Sequence, residues 1–125
     1  MDENDLSYQI RGAIFTTYNS LGPGLLESAY EVVLAYVLTE SGLHVKRQVQ
    51  MPILFDDNEL DAGYRIDLLI NSLVIVEIKS VEILSPVHHK QVLTYLKLSG
   101  LKLGLLENFN TVDIKGSIFR KVNGL

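Results

Sequence analysis

Hydrophobic positions along the chain follow a helical period up to Gly42 and an alternating one from His44. Between about Asp5 and Ser20, the residues Ile10, Ala13, Ile14 and Thr17 fall near one face of a helix. "LGPG" then breaks it, because proline and paired glycines punctuate helices. A second helix is expected from about Leu25 to Ser41, ending at Gly42, a natural residue just past a helix end. It is apolar on most sides, so it should be largely buried. "HVKRQVQMPILF" reads as a strand, broken near Pro52, and "DDNELDAG" as a turn-rich connection. "YRIDLLI" and "VIVEIKS" are two further strands with a very short link. "SPVHHKQVLTYLKLSG" reads as a helix with Ser85 as N-cap, Pro86 in the first turn and Gly100 beyond the end. "LKLGLLENF" is a fourth strand and "DIKGSIFRKVNG" a last, edge-like one. The order α-α-β-β-β-α-β-β predicts an α/β or α+β fold, with helices around one central sheet.

A length of 125 residues suits one domain, and a hydrophobic content of 47% is enough for a packed core. The absence of cysteine excludes disulfides, thiolate zinc sites and cysteine nucleophiles together. The acidic, polar start "MDENDLSYQI" is no signal peptide, and no apolar run reaches the length of a membrane span. The expectation is a soluble, cytoplasmic protein. The net charge of −4 argues against a general nucleic-acid coat. Residues 1–42 carry six acids and one base, residues 43–125 nine acids and ten bases. A polyanion would therefore meet the second part.

The two central strands can be aligned by arithmetic. Opposite residues of an antiparallel pair share a face. With Asn71-Ser72-Leu73 as the link, Ile70 faces Val74. Ile66, Leu68, Ile70, Val74, Val76 and Ile78 then form an apolar face. Arg65, Asp67, Leu69, Ile75, Glu77 and Lys79 form the other, with Asp67 opposite Glu77. A two-residue link would send Asp67 and Glu77 to opposite sides. Two carboxylates so placed repel each other in an apolar setting. A divalent cation relieves that repulsion, and their oxygens are hard ligands suited to Mg²⁺ or Mn²⁺. Lys79 would stabilise charge on a phosphate or help activate water. The plainer reading is a pair of surface ion pairs, Glu77 with Lys79 and Asp67 with Arg65.

"GYRID", nine residues and then "EIK" resemble the signature of PD-(D/E)XK nucleases. Gln91-x-x-x-Tyr95 is similar to the Q-x-x-x-Y motif of the RecB-like branch. "GLLESAY", with Gly24, Glu27 and Tyr30, resembles the motif that names the GxxExxY protein family. "PVHHKQVLTYLKLSGLKLGLLENF" resembles that family's C-terminal half, so the likeness covers about Leu21 to Gly124. The literal proline-aspartate is absent, since Ile66 precedes Asp67. The resemblance implies a restriction-endonuclease-like core, a central mixed sheet flanked by helices, and metal-dependent phosphodiester hydrolysis. It implies Asp67, Glu77 and Glu27 as metal ligands with the Ile78 carbonyl, and Lys79 as the catalytic lysine. It places Gln91 and Tyr95 beside the site, Mg²⁺ or Mn²⁺ as cofactor, and nucleic acid, DNA before RNA, as partner. A homodimer is left open.

The residues themselves carry plainer readings too. Gln91 and Tyr95 are four apart and share a helix face, which His88 joins. That face could be simply solvated, and Tyr95 a core residue with a satisfied hydroxyl. Glu27 could favour the positive end of its helix. Tyr30 reads as packing. His88 and His89 point about 100° apart and do not share one ion. Lys46, Arg47, Lys90 and Lys97 suit phosphates or a scattered solvated surface. A non-catalytic nucleic-acid or protein-interaction module, and a phosphohydrolase of small nucleotides, are the competing functions.

Overall fold

A computed structural model describes residues 1–125. Two helices, α1 (Glu3–Leu21) and α2 (Glu27–Glu40), precede β1 (Val45–Gln50), β2 (Ile53–Phe55), β3 (Asn58–Leu60), β4 (Arg65–Ile70) and β5 (Val74–Lys79). Helix α3 (Pro86–Ser99), β6 (Leu103–Asn108), a short 3₁₀ turn and β7 (Ile118–Val122) complete the chain. Helix α1 begins earlier than its apolar period suggests. Asp2 caps it by accepting the Asp5 N–H at 2.8 Å, and Asp5 returns the bond. "DDNELDAG" is more than a connection. Asp56 and Asp57, at φ 51° and 60°, turn the chain so that β3 pairs with β2 as a separate hairpin.

The main sheet has the order β1-β4-β5-β6-β7, antiparallel except for the parallel pair β5–β6. A parallel pair needs a crossover, which α3 supplies. Helices α1 and α2 cover one face through a core that includes Leu6, Ile10, Ile14, Leu34, Leu38, Leu68, Val76 and Leu105. Helix α3 covers the other through Tyr95 and Leu96, which meet Met51, Ile66 and Ile75. Gly104 lets α3 close in, since a Cβ there would lie 2.7 Å from Val92 Cγ1.

The hairpin register is the one predicted: Ile70 faces Val74, Leu69 faces Ile75 and Leu68 faces Val76. Asn71 and Ser72 turn the link with φ of 51° and 56°. The His44 N–H donates to the Asn71 side-chain oxygen at 2.8 Å and ties the tip to the start of β1. The expected six-residue apolar face holds only in part. Ile66 packs with Tyr95 beneath α3, whereas Leu68 and Ile70 face α1 and α2. On the neighbouring strand, Val45 packs towards α1 and α2 but Val49 towards α3. Both strands therefore change face between these residues, at Gln48 and Asp67. Gln48 has φ 51°, a left-handed conformation inside a strand, and this local turn breaks the alternation that pure parity assumes.

Candidate active site

At the end of the hairpin far from its tip, β4 and β5 part. Their pairing stops at Leu68–Val76, although β1–β4 continues to Gln50–Arg65 and β5–β6 to Lys79–Asn108. Carboxylates take over in the gap. The Ile78 N–H donates to Asp67 Oδ2 at 2.8 Å, and the Asp67 N–H lies 3.4 Å from Glu77 Oε2. Asp67 and Glu77 thus meet between the parted strands. Glu77 is only 2% exposed, and burial pushes its carboxyl up to about 10. The Asp67 carboxylate raises it further, while the Lys79 charge pulls it back.

A cleft of about 340 Å³ opens on the α2 side, lined by Glu27, Glu31, Arg47, Gln48, Asp67 and Ile78 among others. Glu27 borders it from the first turn of α2, with Oε2 3.4 Å from the Ser80 N–H. Its position depends on the preceding loop. Gly24 at φ 97° makes the turn, and the Tyr30 hydroxyl donates to the Gly22 carbonyl at 2.6 Å and accepts the Leu25 N–H at 3.1 Å. Tyr30 stacks on Phe109 with centroids 4.3 Å apart, so it is a packing residue that also clamps this loop. The Ser80 hydroxyl donates to the Leu25 carbonyl at 2.6 Å and holds the loop against the end of β5.

The ion pairs of the plain reading do not form. The salt bridges are Arg47–Glu31 at 3.0 Å and Arg65–Asp61 at 3.3 Å. Lys79 stays half-buried beside Glu77 with no carboxylate in salt-bridge range. Gln91 and Tyr95 do share a face, and the Gln91 amide donates to the Tyr95 hydroxyl at 3.1 Å. They line a separate cleft of about 370 Å³ with Tyr64 and Lys90, under α3. Tyr95 nonetheless senses the carboxylates. Burial first, then the charges of Glu77 and Asp67, push its hydroxyl up to about 12. His88 is occupied elsewhere, its Nδ1 accepting the Ser85 N–H as part of the α3 cap. His89 stacks edge-on against Phe119.

Sequence reasoning did not single out Glu31 or Gln48. The Glu31 carboxylate is buried and accepts from Arg47 and Gln48. An acid on so apolar a helix was the available signal for Glu31; Gln48 carried none.

No three acidic or histidine side chains stand close enough together to hold an ion. The residues present still suit a hard dication. Two carboxylates meet in a buried gap with no full counter-charge, Ile78 adjoins them, and Glu27 borders the same cleft. Asp67, Glu77 and the Ile78 carbonyl are the residues that would hold it, while Glu27 lines the cleft without joining the two carboxylates.

Helices on both faces of a mixed sheet, with an acidic hairpin parted at one end and a lysine two residues on, define a nuclease-like α+β protein. The sequence matches the PD-(D/E)XK nuclease superfamily over residues 4–121, and the chain belongs to it. No curated protein and no solved structure matches the chain.

Proposed function

We propose that this protein is a metal-dependent nuclease that hydrolyses phosphodiester bonds, with DNA as its substrate. The observation that carries this reading is the meeting of Asp67 and Glu77 in the parted end of the hairpin, next to Lys79, in a chain of this superfamily. Gln91-x-x-x-Tyr95 supports a place in the RecB-like branch, and Gly24, Glu27 and Tyr30 a place among GxxExxY proteins.

A bound Mg²⁺ or Mn²⁺ would polarise the phosphate and lower the pKa of an attacking water. The protein's own residues do the rest. Asp67 and Glu77 supply anionic oxygens from two strands whose spacing the hairpin fixes. Glu77 must give up its proton to do so. Lys79 brings a positive charge to the phosphate oxygens and orients water for attack on phosphorus. The water oxygen bonds to phosphorus and releases a proton to solvent as the P–O bond to the leaving sugar breaks, and the sugar oxygen takes up a proton from solvent in its place. The hydrogen bond between Gln91 and Tyr95 stiffens the α3 wall beside Glu77.

Incubation of single- and double-stranded DNA and RNA with Mg²⁺ or Mn²⁺ tests the reading. Wild type should cleave DNA, and Lys79→Ala should lose cleavage by at least about a hundredfold, the scale of one transition-state charge contact. Equal cleavage by the two proteins would remove Lys79 from the chemistry. No cleavage of any substrate would favour a binding module that keeps a nuclease fold.

A further inference from the structure

Asp67 is held by more than its own strand. Its Oδ2 accepts the Ile78 N–H at 2.8 Å, and its Oδ1 accepts the Gln48 Nε2 amide at 3.2 Å. The same Gln48 amide donates to Glu31 Oε1 at 2.6 Å. Glu31 Oε2 takes the Arg47 Nε and Nη2 at 3.1 and 3.0 Å. Every oxygen of Glu31 and Asp67 therefore has a donor. Glu31 is 6% exposed and already neutralised by Arg47, although it lines the same cleft as Glu27.

Gln48 reaches both acids from an unusual backbone. It stands opposite Asp67 in the β1–β4 ladder, between the pairs Arg47–Leu68 and Val49–Ile66, with φ 51°. A side chain other than glycine is strained there, and such strain persists where the surroundings over-determine it. An extended Gln48 would keep Val49 on the face of Arg47. The left-handed turn instead lets Arg47 reach Glu31 on the α2 side while Val49 packs towards α3.

We propose that Gln48 is a positioning residue for Asp67, and that Glu31, neutralised by Arg47, acts through Gln48 rather than as a metal ligand. This assignment rests on the metal-dependent reading given above. The side-chain amide fixes the rotation of the Asp67 carboxylate, so that its remaining lone pairs face the cleft shared with Ile78 and Glu27. The strain at Gln48 is retained for that orientation, since stability alone would favour glycine. Partners of this kind set the orientation of metal ligands without touching the ion.

Gln48→Gly separates the two roles. It relieves the backbone and removes the amide. The variant should melt at the wild-type temperature or above, yet bind Mn²⁺ about 10–100-fold more weakly in a titration of the free ion, the usual cost of losing such a partner. Glu31→Ala in the Gln48→Gly background should add no further loss of affinity, because its path to Asp67 is already cut. Equal Mn²⁺ affinity in wild type and Gln48→Gly overturns the positioning role alone. A further, additive loss from Glu31→Ala makes Glu31 a ligand and overturns its part. A wild type that binds no Mn²⁺ overturns the metal reading itself, and this assignment with it.

Discussion

Tyr30 shows how one side chain joins packing to the site. Its ring lies flat on Phe109, while its hydroxyl bonds at both ends of the loop that precedes Glu27. Tyr30→Phe keeps the stack and leaves the Gly22 carbonyl and the Leu25 N–H without this partner. Urea unfolding should show a loss of about 1–2 kcal/mol, the cost of buried hydrogen bonds left unmade. An unchanged midpoint would mean that water replaces the hydroxyl. Glu107 is a third buried acid, apart from the site. It is fully buried and accepts the Ser117 hydroxyl at 2.8 Å, while its Oε2 has no partner. Burial pushes its carboxyl up to about 8, against the pull of Ser117 and Arg11. The folded state therefore holds this proton more tightly than the unfolded chain does. Its contribution is complete below the ordinary carboxylate range and is lost as pH rises towards about 8. Within that window the loss amounts to at most about 1.4 kcal/mol per pH unit. Glu107→Gln removes the titration, so its melting temperature should gain on wild type between pH 5 and pH 9. A constant difference would show that Glu107 does not titrate there.

At the scale of elements, the closeness of α3 to β6 is set by Gly104. A methyl group there would meet Val92 at 2.7 Å. Gly104→Ala should destabilise by about 1–3 kcal/mol through overpacking. Adding Val92→Ala, which deletes the offending methyl groups, should cost less than the sum of the two single changes. Thermal unfolding of the three variants checks this, and simple additivity would place the clash elsewhere. Most elements were legible in the sequence because each carries a local device: Ser85 and Gly100 around α3, the short link between β4 and β5, the proline between β1 and β2. The β3 strand was not legible. Asn58–Leu60 is wholly exposed, so no buried face imprints an alternation on it. The meeting of Asp67 and Glu77 follows from register, which parity and link length fix. The change of face at Gln48 does not, because nothing in a glutamine announces a left-handed backbone. Ile66 was misplaced for that reason, and Glu31 and Gln48 were missed with it.

At the scale of the molecule, the superfamily and the general architecture were readable from spaced motifs, whereas the linkage of Glu31, Arg47, Gln48 and Asp67 needs three dimensions. No helix is long and apolar enough to cross a membrane. The site lies where α2, β1, β4 and β5 converge, so an ion held there would brace elements distant in sequence. Thermal unfolding in EDTA and in millimolar Mn²⁺ measures this. An ion that binds only the folded state, at about a hundred times its dissociation constant, adds roughly 2.7 kcal/mol. Wild type should gain several degrees. Asp67→Asn with Glu77→Gln should gain nothing from Mn²⁺, yet match or exceed wild type in EDTA, because an amide at position 77 spares the folded state the cost of keeping the Glu77 carboxyl protonated well above its ordinary range. Equal gains in the two proteins would show that these carboxylates hold no ion.

That buried pair has a consequence for descent. Most losses of chemistry are neutral for a fold or harmful to it, but here the first step away from chemistry would be rewarded. A lineage with no further use for hydrolysis would gain stability by exchanging Glu77 for its amide, a change within reach of a single nucleotide. Retention of both, with Lys79 beside them, is the state that drift would erase first.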